Sequence, residues 1–580
     1  MTNEAIRKFY NKSKYILFPL ALLLFALLKV NKGVDLTDAS YSLGNYRFLK
    51  EGTGVWFLLT YLSNVVGHIF TLLPGGQTML GMKIYSSLII AFMGIVGYRF
   101  FMTKMPAWLA FLAQMAAIGM CWAPSVILYN YLTYAFLLLG CVFLFRGLAG
   151  YRDISLGIAG FFLGINAFVR FPNNGLEVLL IIPAIYYCVL QHYEGKEILR
   201  KLLICIGGYL FGFLVILIPM SCIYGWGSFA SMIGGALGIS GSASEYSFGS
   251  MVLSIIDAYW HGFKWALYLI ICAILGIPFF LLYEDKYMKI RKVIYIACIA
   301  FLFFVLEKWG MFNFKYYQKE SALQWGAIFL LISIAVFVGM IFARSFNNDW
   351  KLIACIGLIV VLITPLGSNN YIWPALNNLF FIAPVTAWVI YKEARWGRKY
   401  LDVTHKVPMF SVKAMTMAAL IMFTIQAIGI GCGYVFADGE NGDELIYPIQ
   451  NNEVLKGMRT NAQTADNLTE ISTYFEENAD ELDRRKLILY GNIPGLCYYL
   501  DRPSALNSSW SDLESNPLEN MVESIVKTSE DIENNRPIVI LSKGLYDTPD
   551  NSIKLDLING FIEENEYEIT FVNDAFAVYE

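Results

Sequence analysis

The chain has 580 residues, of which 57% are hydrophobic, 16% aromatic and only 15% charged, and its formal net charge is −3. Apolar runs of about 17 to 23 residues recur along most of it, each able to cross a hydrocarbon core of roughly 30 Å. This excludes a water-soluble enzyme built round a single core, gives no reason to expect a nucleic-acid partner, and predicts a polytopic α-helical membrane protein.

The small net charge hides an asymmetry. Residues 1 to 434 hold 33 Lys and Arg against 17 Asp and Glu, a surplus of +16, whereas residues 435 to 580 hold 10 against 29, a surplus of −19. Two domains in different surroundings are expected, 1–434 in the membrane and 435–580 outside it.

Spans are predicted at roughly 14–30, 82–101, 106–123, 126–145, 154–170, 176–192, 202–224, 263–283, 293–310, 321–343, 352–367, 378–391 and 414–434, thirteen in all. The first is preceded by Arg7, Lys8, Lys12 and Lys14 and is taken as a retained signal anchor. Further basic clusters fall on the same side: Lys196, Arg200 and Lys201; Lys286, Lys289, Arg291 and Lys292; Lys392, Arg395, Arg398, Lys399, Lys406 and Lys413. Positive charge marks the cytoplasmic face, so the N-terminus is expected inside and the C-terminal domain outside. The segment 55–73 is apolar but carries Thr60, Ser63, Asn64, His68 and Thr71. Counting it as a span would invert every later loop, so outer interfacial helices are expected near 38–75.

The first outer loop carries Asp35 and Asp38, followed by Tyr41 and Arg47. An acidic pair at a membrane surface suggests chemistry, although either carboxylate also suits a cap for the helix expected from about Ser40. Arg170-Phe-Pro-Asn-Asn ends a later span on that side. The segment 225–262, rich in Gly and Ser and carrying Glu245 and Asp257, reads as a flexible loop able to cover a cleft. The next outer loop concentrates Lys308, Lys315 and Lys319 among aromatics, where positive charge is normally sparse. Such cations suit a phosphate headgroup whose hydrocarbon tail stays in lipid; they also suit plain snorkelling to the interface.

The ten cysteines show no metal-like C-x-x-C spacing and read as apolar fillers between helices. Beyond Tyr434, strand-like runs at 487–491, 538–542, 567–572 and 576–579 alternate with helical segments near 463–478, 517–528 and 552–564. That pattern predicts a small α/β domain with a partly parallel sheet. Gly491-Asn-Ile-Pro-Gly lacks the spacing and the lysine of a nucleotide loop.

The chain resembles the GT-C glycosyltransferases, multi-span enzymes that take a sugar from a polyprenyl-phosphate carrier. The resemblance rests on Asp38-x-x-Tyr41 in the first outer loop, on Leu128-Tyr-Asn-Tyr-Leu-Thr-Tyr opening a span, on the Gly-rich stretch from Ala159 to Arg170 and Pro172, and on Gly367-Ser-Asn-Asn. It covers most of residues 14 to 434 and looks like the branch of aminoarabinose transferases and protein mannosyltransferases. The first loop departs from the adjacent Asp-Glu pair common there.

The resemblance implies a first-loop carboxylate as catalytic residue, Asp38 or Asp35. It also implies outer cations that hold the carrier phosphate, with Arg47, Arg170, Lys308, Lys315 and Lys319 as candidates and Tyr41 beside them. Polyprenyl phosphate is a good leaving group, so a general base for an acceptor hydroxyl and charge neutralisation at the departing phosphate suffice. Inversion at the anomeric carbon is expected. Some relatives bind a divalent metal ion near this acid, and His68 and His261 are its candidate ligands. The implied partners are a polyprenyl-phosphate-linked sugar donor, the lipid bilayer and a glycan, lipid or protein acceptor, and the implied location is a bacterial cytoplasmic membrane. The alternatives are a transporter or flippase of lipid-linked sugars, disfavoured by the absence of an obvious repeat and the few mid-span charges, and a polysaccharide polymerase or ligase, disfavoured by short late outer loops.

Overall fold

The computed structural model describes residues 11–52, 55–171, 173–234, 248–281, 287–368, 370–397, 410–482, 485–513, 516–533, 535–544 and 549–580. Arg7, Lys8, Lys286, Arg398, Lys399 and Lys406 of the basic clusters, with Pro172, Glu245 and Asn369, lie outside the described residues.

From the N-terminus the helices are α1 (Ser13–Ala26), α2 (Asp38–Arg47), α3 (Tyr61–Thr71), α4 (Met79–Phe101), α5 (Ala107–Gly119), α6 (Leu128–Ala149), α7 (Asp153–Asn166) and α8 (Ile181–Leu190, after a 3-10 stretch Asn173–Leu180). They continue as α9 (Gly195–Tyr224), α10 (Phe248–Leu281), α11 (Met288–Lys308), α12 (Lys319–Phe342), α13 (Asn348–Ile363), α14 (Ile382–Gly397) and α15 (Phe410–Gly433). Each of the thirteen predicted spans coincides with one of these. Among the described residues, seven helical segments are long and apolar enough to cross a membrane, and α1, α5 and α7 are shorter apolar helices. Residues such as Leu203, Leu210 and Phe211 on α9, or Val293 and Phe301 on α11, lie exposed, as lipid-facing side chains do.

The predicted interfacial segment 55–73 forms two short helices, Val55–Leu59 and α3, broken at Thr60. The 11 residues of α3 rise only about 16 Å, half of a hydrocarbon core. They pack on α2 instead, where Gly67 faces the Tyr46 ring with no space for a Cβ.

The Gly-rich stretch of α7 has a packing role. Gly160 and Gly164 meet Gly208 and Gly212 of α9 so closely that a Cβ on Gly160 would fall 1.9 Å from the Cys205 carbonyl oxygen, and one on Gly212 would fall 2.3 Å from that of Phe161. Small residues four apart on both helices let the backbones touch, which is how helices associate where lipid removes the hydrophobic drive.

One expectation is corrected. The segment 225–262 is not a single loop: α10 already begins at Phe248 and runs 34 residues, so Asp257 and His261 lie on a helix. Its serines misled, because a hydroxyl can be satisfied inside a helix, as the Ser254 hydroxyl is by donating to the Met251 carbonyl at 2.8 Å.

After α15 come β1 (Tyr447–Pro448), β2 (Arg459–Thr460), α16 (Ala462–Glu477), β3 (Leu487–Tyr490), α17 (Leu518–Glu530), β4 (Ile538–Ser542), α18 (Pro549–Glu564), β5 (Ile569–Val572) and β6 (Phe576–Tyr579). The four-stranded sheet has order β3-β4-β6-β5, with β3 and β4 parallel and the other pairings antiparallel, as the strand–helix alternation predicts. One buried cluster joins this region to the first loop: Val34, Ala39, Leu43 and Tyr46 pack with Met458, Leu496, Tyr498 and Tyr499.

Candidate functional site

The two first-loop carboxylates have different environments. Asp35 is buried, and its Oδ1 accepts from the Thr37 N–H at 2.9 Å and the Thr37 hydroxyl at 2.6 Å, while Oδ2 accepts from the Ala39 N–H at 2.8 Å. Those bonds satisfy backbone donors at the start of α2, the task of a helix cap. Asp38 opens α2 in the next turn, and among the described residues its carboxylate accepts no hydrogen bond. Burial raises its pKa to about 6, the Asp35 carboxylate adds to the rise, and Lys319 opposes it. A carboxylate poised near 6 can take up a proton near neutral pH.

Lys319, the first residue of α12, forms an ion pair with Glu440 and sits 4.8 Å from the Phe436 ring centroid and 5.7 Å from that of Trp122. Trp122 lines a cavity of about 110 Å³ that also contacts Asp35 and Ala39. Three lysines, Lys29, Lys32 and Lys83, and one acid, Asp35, are the charged residues of its wall. Lys83 is 9% exposed, and its ammonium donates to the carbonyls of Lys32 at 2.6 Å and Gly33 at 2.9 Å. Lys29 donates to the carbonyls of Ile430 at 2.9 Å and Tyr434. Each ammonium has three donors, so each keeps one for a ligand. Sequence reasoning missed both, because they lie at the ends of apolar runs where a lone lysine reads as snorkelling.

Arg170, in the turn after α7, is a further cation near the first loop. It donates to Asn130 Oδ1 at 3.0 Å and lies 5.4 Å from the Tyr129 ring centroid, and the Tyr129 hydroxyl is within electrostatic range of both Arg170 and Asp38. Asn173 donates to the Gly367 carbonyl at 2.7 Å, so two motifs nearly 200 residues apart meet here. Gly367 has φ +83°, and a Cβ on it would lie 2.5 Å from the Asn173 side chain. Beside Arg170 a polar cavity of about 20 Å³ contacts Glu177, which is 3% exposed and takes a 2.6 Å bond from Asn166. Glu177 is a third residue the sequence did not single out.

The other predicted residues fall elsewhere. Arg47 is used by the C-terminal region, donating to both Asp501 oxygens at 2.8 and 2.6 Å. Tyr41 turns the same way, its hydroxyl bonded to Ser508 and its ring 5.5 Å from Trp510. Lys308 is exposed at the end of α11, 5.5 Å from its own Phe304 ring, the geometry of a snorkelling lysine, and Lys315 is exposed in the following loop. His68 bonds through Nδ1 to the Tyr46 carbonyl at 2.9 Å, and His261 through Nδ1 to the Asp257 carbonyl of its own helix at 3.0 Å. Among the described residues, no three His, Cys, Asp or Glu side chains gather closely enough to hold a metal ion.

Neither a family model nor a curated protein matches the sequence. Among solved structures, the chain is similar to ArnT from Cupriavidus metallidurans, a crystal structure with undecaprenyl phosphate bound, at a TM-score of 0.51 over 98% of both chains and 10% identity. The chain shares the fold of that structure. AglB, the archaeal oligosaccharyltransferase from Archaeoglobus fulgidus solved with an inhibitory peptide and a dolichol-phosphate, is a looser likeness. It has a TM-score of 0.40 and 12% identity over 92% of this chain and 70% of that one, too distant to carry an argument. Within this fold, Asp38, Lys319, the lysine-lined cavity and Arg170 lie at the first loop, the starts of α4 and α12, and the turn after α7.

Proposed function

We propose that this chain is a membrane glycosyltransferase that moves a sugar from a polyprenyl-phosphate carrier to an acceptor on the outer face of the membrane. The carrying observation is Asp38: a carboxylate that accepts no hydrogen bond among the described residues, its pKa pushed up to about 6, adjacent in the chain to Ala39, which with Asp35 lines a cavity walled by Lys29, Lys32 and Lys83. The fold shared over the whole chain with an undecaprenyl-phosphate-bound ArnT supports the same reading.

Asp38 removes the proton from the acceptor hydroxyl as its oxygen attacks the anomeric carbon. The bond from that carbon to the phosphate oxygen breaks, the electron pair leaves with the phosphate, and the proton stays on the Asp38 carboxyl. Attack opposite the leaving group inverts the anomeric centre. Lys29 and Lys83 each hold a spare donor toward the cavity and neutralise the departing phosphate, a role of fixed cations in a site shielded from water. Lys319 keeps Asp38 ionised when the site is empty. Arg170 and Tyr129 form the polar edge nearest Asp38 and suit the hydroxyls of the transferred sugar. Asp35 is saturated by its three bonds and is assigned to capping α2, and Arg47 to docking the C-terminal region. His261 pairs only with Asp257 of its own helix, at 3.3 Å, and His68 with the Tyr46 carbonyl; among the described residues no further ligand joins either, so they do not fit a divalent ion.

The basic clusters support a cytoplasmic N-terminus, a membrane domain 1–434 and an extracytoplasmic domain 435–580, and the expected location is a bacterial cytoplasmic membrane. Purified protein in lipid nanodiscs, given a panel of radiolabelled polyprenyl-phosphate monosaccharides with membrane extract, should release free carrier and transfer label. Label that crosses proteoliposome membranes with its carrier bond intact, and no carrier release from any donor, would replace this reading with that of a transporter.

A further inference from the structure

The first loop owes its shape to residues more than 400 positions away. The Tyr499 hydroxyl donates to the Asp35 carbonyl at 2.5 Å, and the Gly495 N–H donates to the Leu36 carbonyl at 2.9 Å. Gly495 approaches so closely that a Cβ there would lie 2.2 Å from the Ser40 hydroxyl oxygen. Upstream, the Gly33 N–H donates to the Arg459 carbonyl at 2.8 Å and the Val34 N–H to Asp438 Oδ2 at 2.7 Å. At the far end of α2, Arg47 grips Asp501 with two parallel bonds, the geometry that fixes orientation as well as distance. The helix Leu496–Tyr499 is itself tied down by Asn452, whose amide donates to the Tyr499 carbonyl at 2.9 Å.

Asp38 lies between these attachments, and among the described residues its carboxylate accepts no hydrogen bond, only its carbonyl being bonded, by the Ser42 hydroxyl at 2.9 Å. Its position is therefore inherited from the backbone on either side, and that backbone is fixed by the C-terminal region. A short α2, 10 residues long and weakly amphipathic, would not hold one conformation in water alone.

We propose that the C-terminal region is a clamp that positions the first-loop carboxylate, with Tyr499 and Asp501 as positioning residues; this rests on the glycosyltransferase reading of Asp38. It gives the acidic C-terminal domain a part in turnover, separate from solubility or acceptor contact. A carboxylate displaced by about 1 Å from its working position loses on the order of a hundredfold in rate while the carrier still binds. Loosening the clamp therefore lowers kcat and leaves KM for the donor unchanged. It also lets water reach Asp38, so the acid limb of the pH–rate profile moves to lower pH.

The test uses the full-length protein in nanodiscs and three variants: Asp501→Ala, Tyr499→Phe, and the exchanged pair Arg47→Asp with Asp501→Arg. Amide hydrogen exchange across residues 34–44 should quicken at least tenfold in Asp501→Ala and Tyr499→Phe and return toward wild type in the exchanged pair. In parallel, kcat should fall about tenfold or more in the single variants, with KM for a polyprenyl-phosphate donor within twofold, and recover in the pair. Unchanged exchange in both single variants overturns the clamp. So does faster exchange with kcat and the pH profile untouched, or a loss seen only in KM. If wild type turns over no donor, the glycosyltransferase reading fails separately, and the exchange data still decide whether the C-terminal region holds the loop.

Discussion

Replacing Asp38 by Asn should make the protein more stable at neutral pH while abolishing its chemistry. The Asp38 carboxyl titrates near 6 in the fold and near its ordinary 3.8 when unfolded, chiefly because burial disfavours the charged form. A difference of about 2 in pKa corresponds to about 3 kcal/mol. Asp38 is only partly buried, so solvent screening reduces this to about 1–2 kcal/mol. The sign follows from the order of the two values. As pH falls the native state takes up the proton first, so the stability linked to Asp38 is fully present below about 3.8 and is lost as pH rises through about 6. Asn resembles the protonated acid in shape and charge, so Asp38→Asn should gain about 1–2 kcal/mol at pH 7.5 and close to nothing near pH 3, below both pKa values. Thermal unfolding in nanodiscs at the two pH values measures this, as a rise in Tm of about 2 °C at pH 7.5 that vanishes near pH 3. The same titration places the acid limb of the pH–rate profile near 6. A variant no more stable than wild type at pH 7.5, or equally stabilised at both, would refute the placement of Asp38 in a poorly solvated, charge-penalised position.

Asp35→Ala should behave in the opposite way: it strips three bonds from the start of α2, so stability should fall by about 2–4 kcal/mol at neutral pH, seen as a lowered Tm. Lys83→Met should weaken binding of polyprenyl phosphate about tenfold or more in a direct binding assay, because one charge-assisted donor toward the cavity is lost. Lys308→Ala and Lys315→Ala should leave turnover within about twofold and stability within about 0.5 kcal/mol, because both side chains are exposed and away from the cavity.

Much of the fold was legible because its signals are local. Runs of apolar residues mark the helices, and the strand–helix alternation after residue 480 marks the sheet whose parallel pair is β3 and β4. The acidic first loop stands out for a similar reason, since two carboxylates just beyond an apolar span are a local signal, and the role of Asp38 as base is the proposal made above. What the sequence hid are partnerships across long separations. Arg47 looks free in the chain, but its partner Asp501 lies 454 residues on. Lys29 and Lys83 look like the ends of apolar runs until the fold turns them to one cavity. Glu177 looks like a stray acid until Asn166 is found against it. Asp35 and Asp38 could not be told apart by spacing, because the distinction is which of them the backbone of α2 uses.

The most direct test compares wild type, Asp38→Asn and Asp35→Asn in single-turnover transfer from a competent polyprenyl-phosphate sugar, with carrier binding measured alongside. Loss of a general base should slow Asp38→Asn by about 10²–10⁴-fold with carrier binding intact, and Asp35→Asn should retain far more of the rate. Transfer by Asp38→Asn at more than a tenth of the wild-type rate, or a larger loss in Asp35→Asn at equal stability, would contradict the assignment of Asp38 as the base.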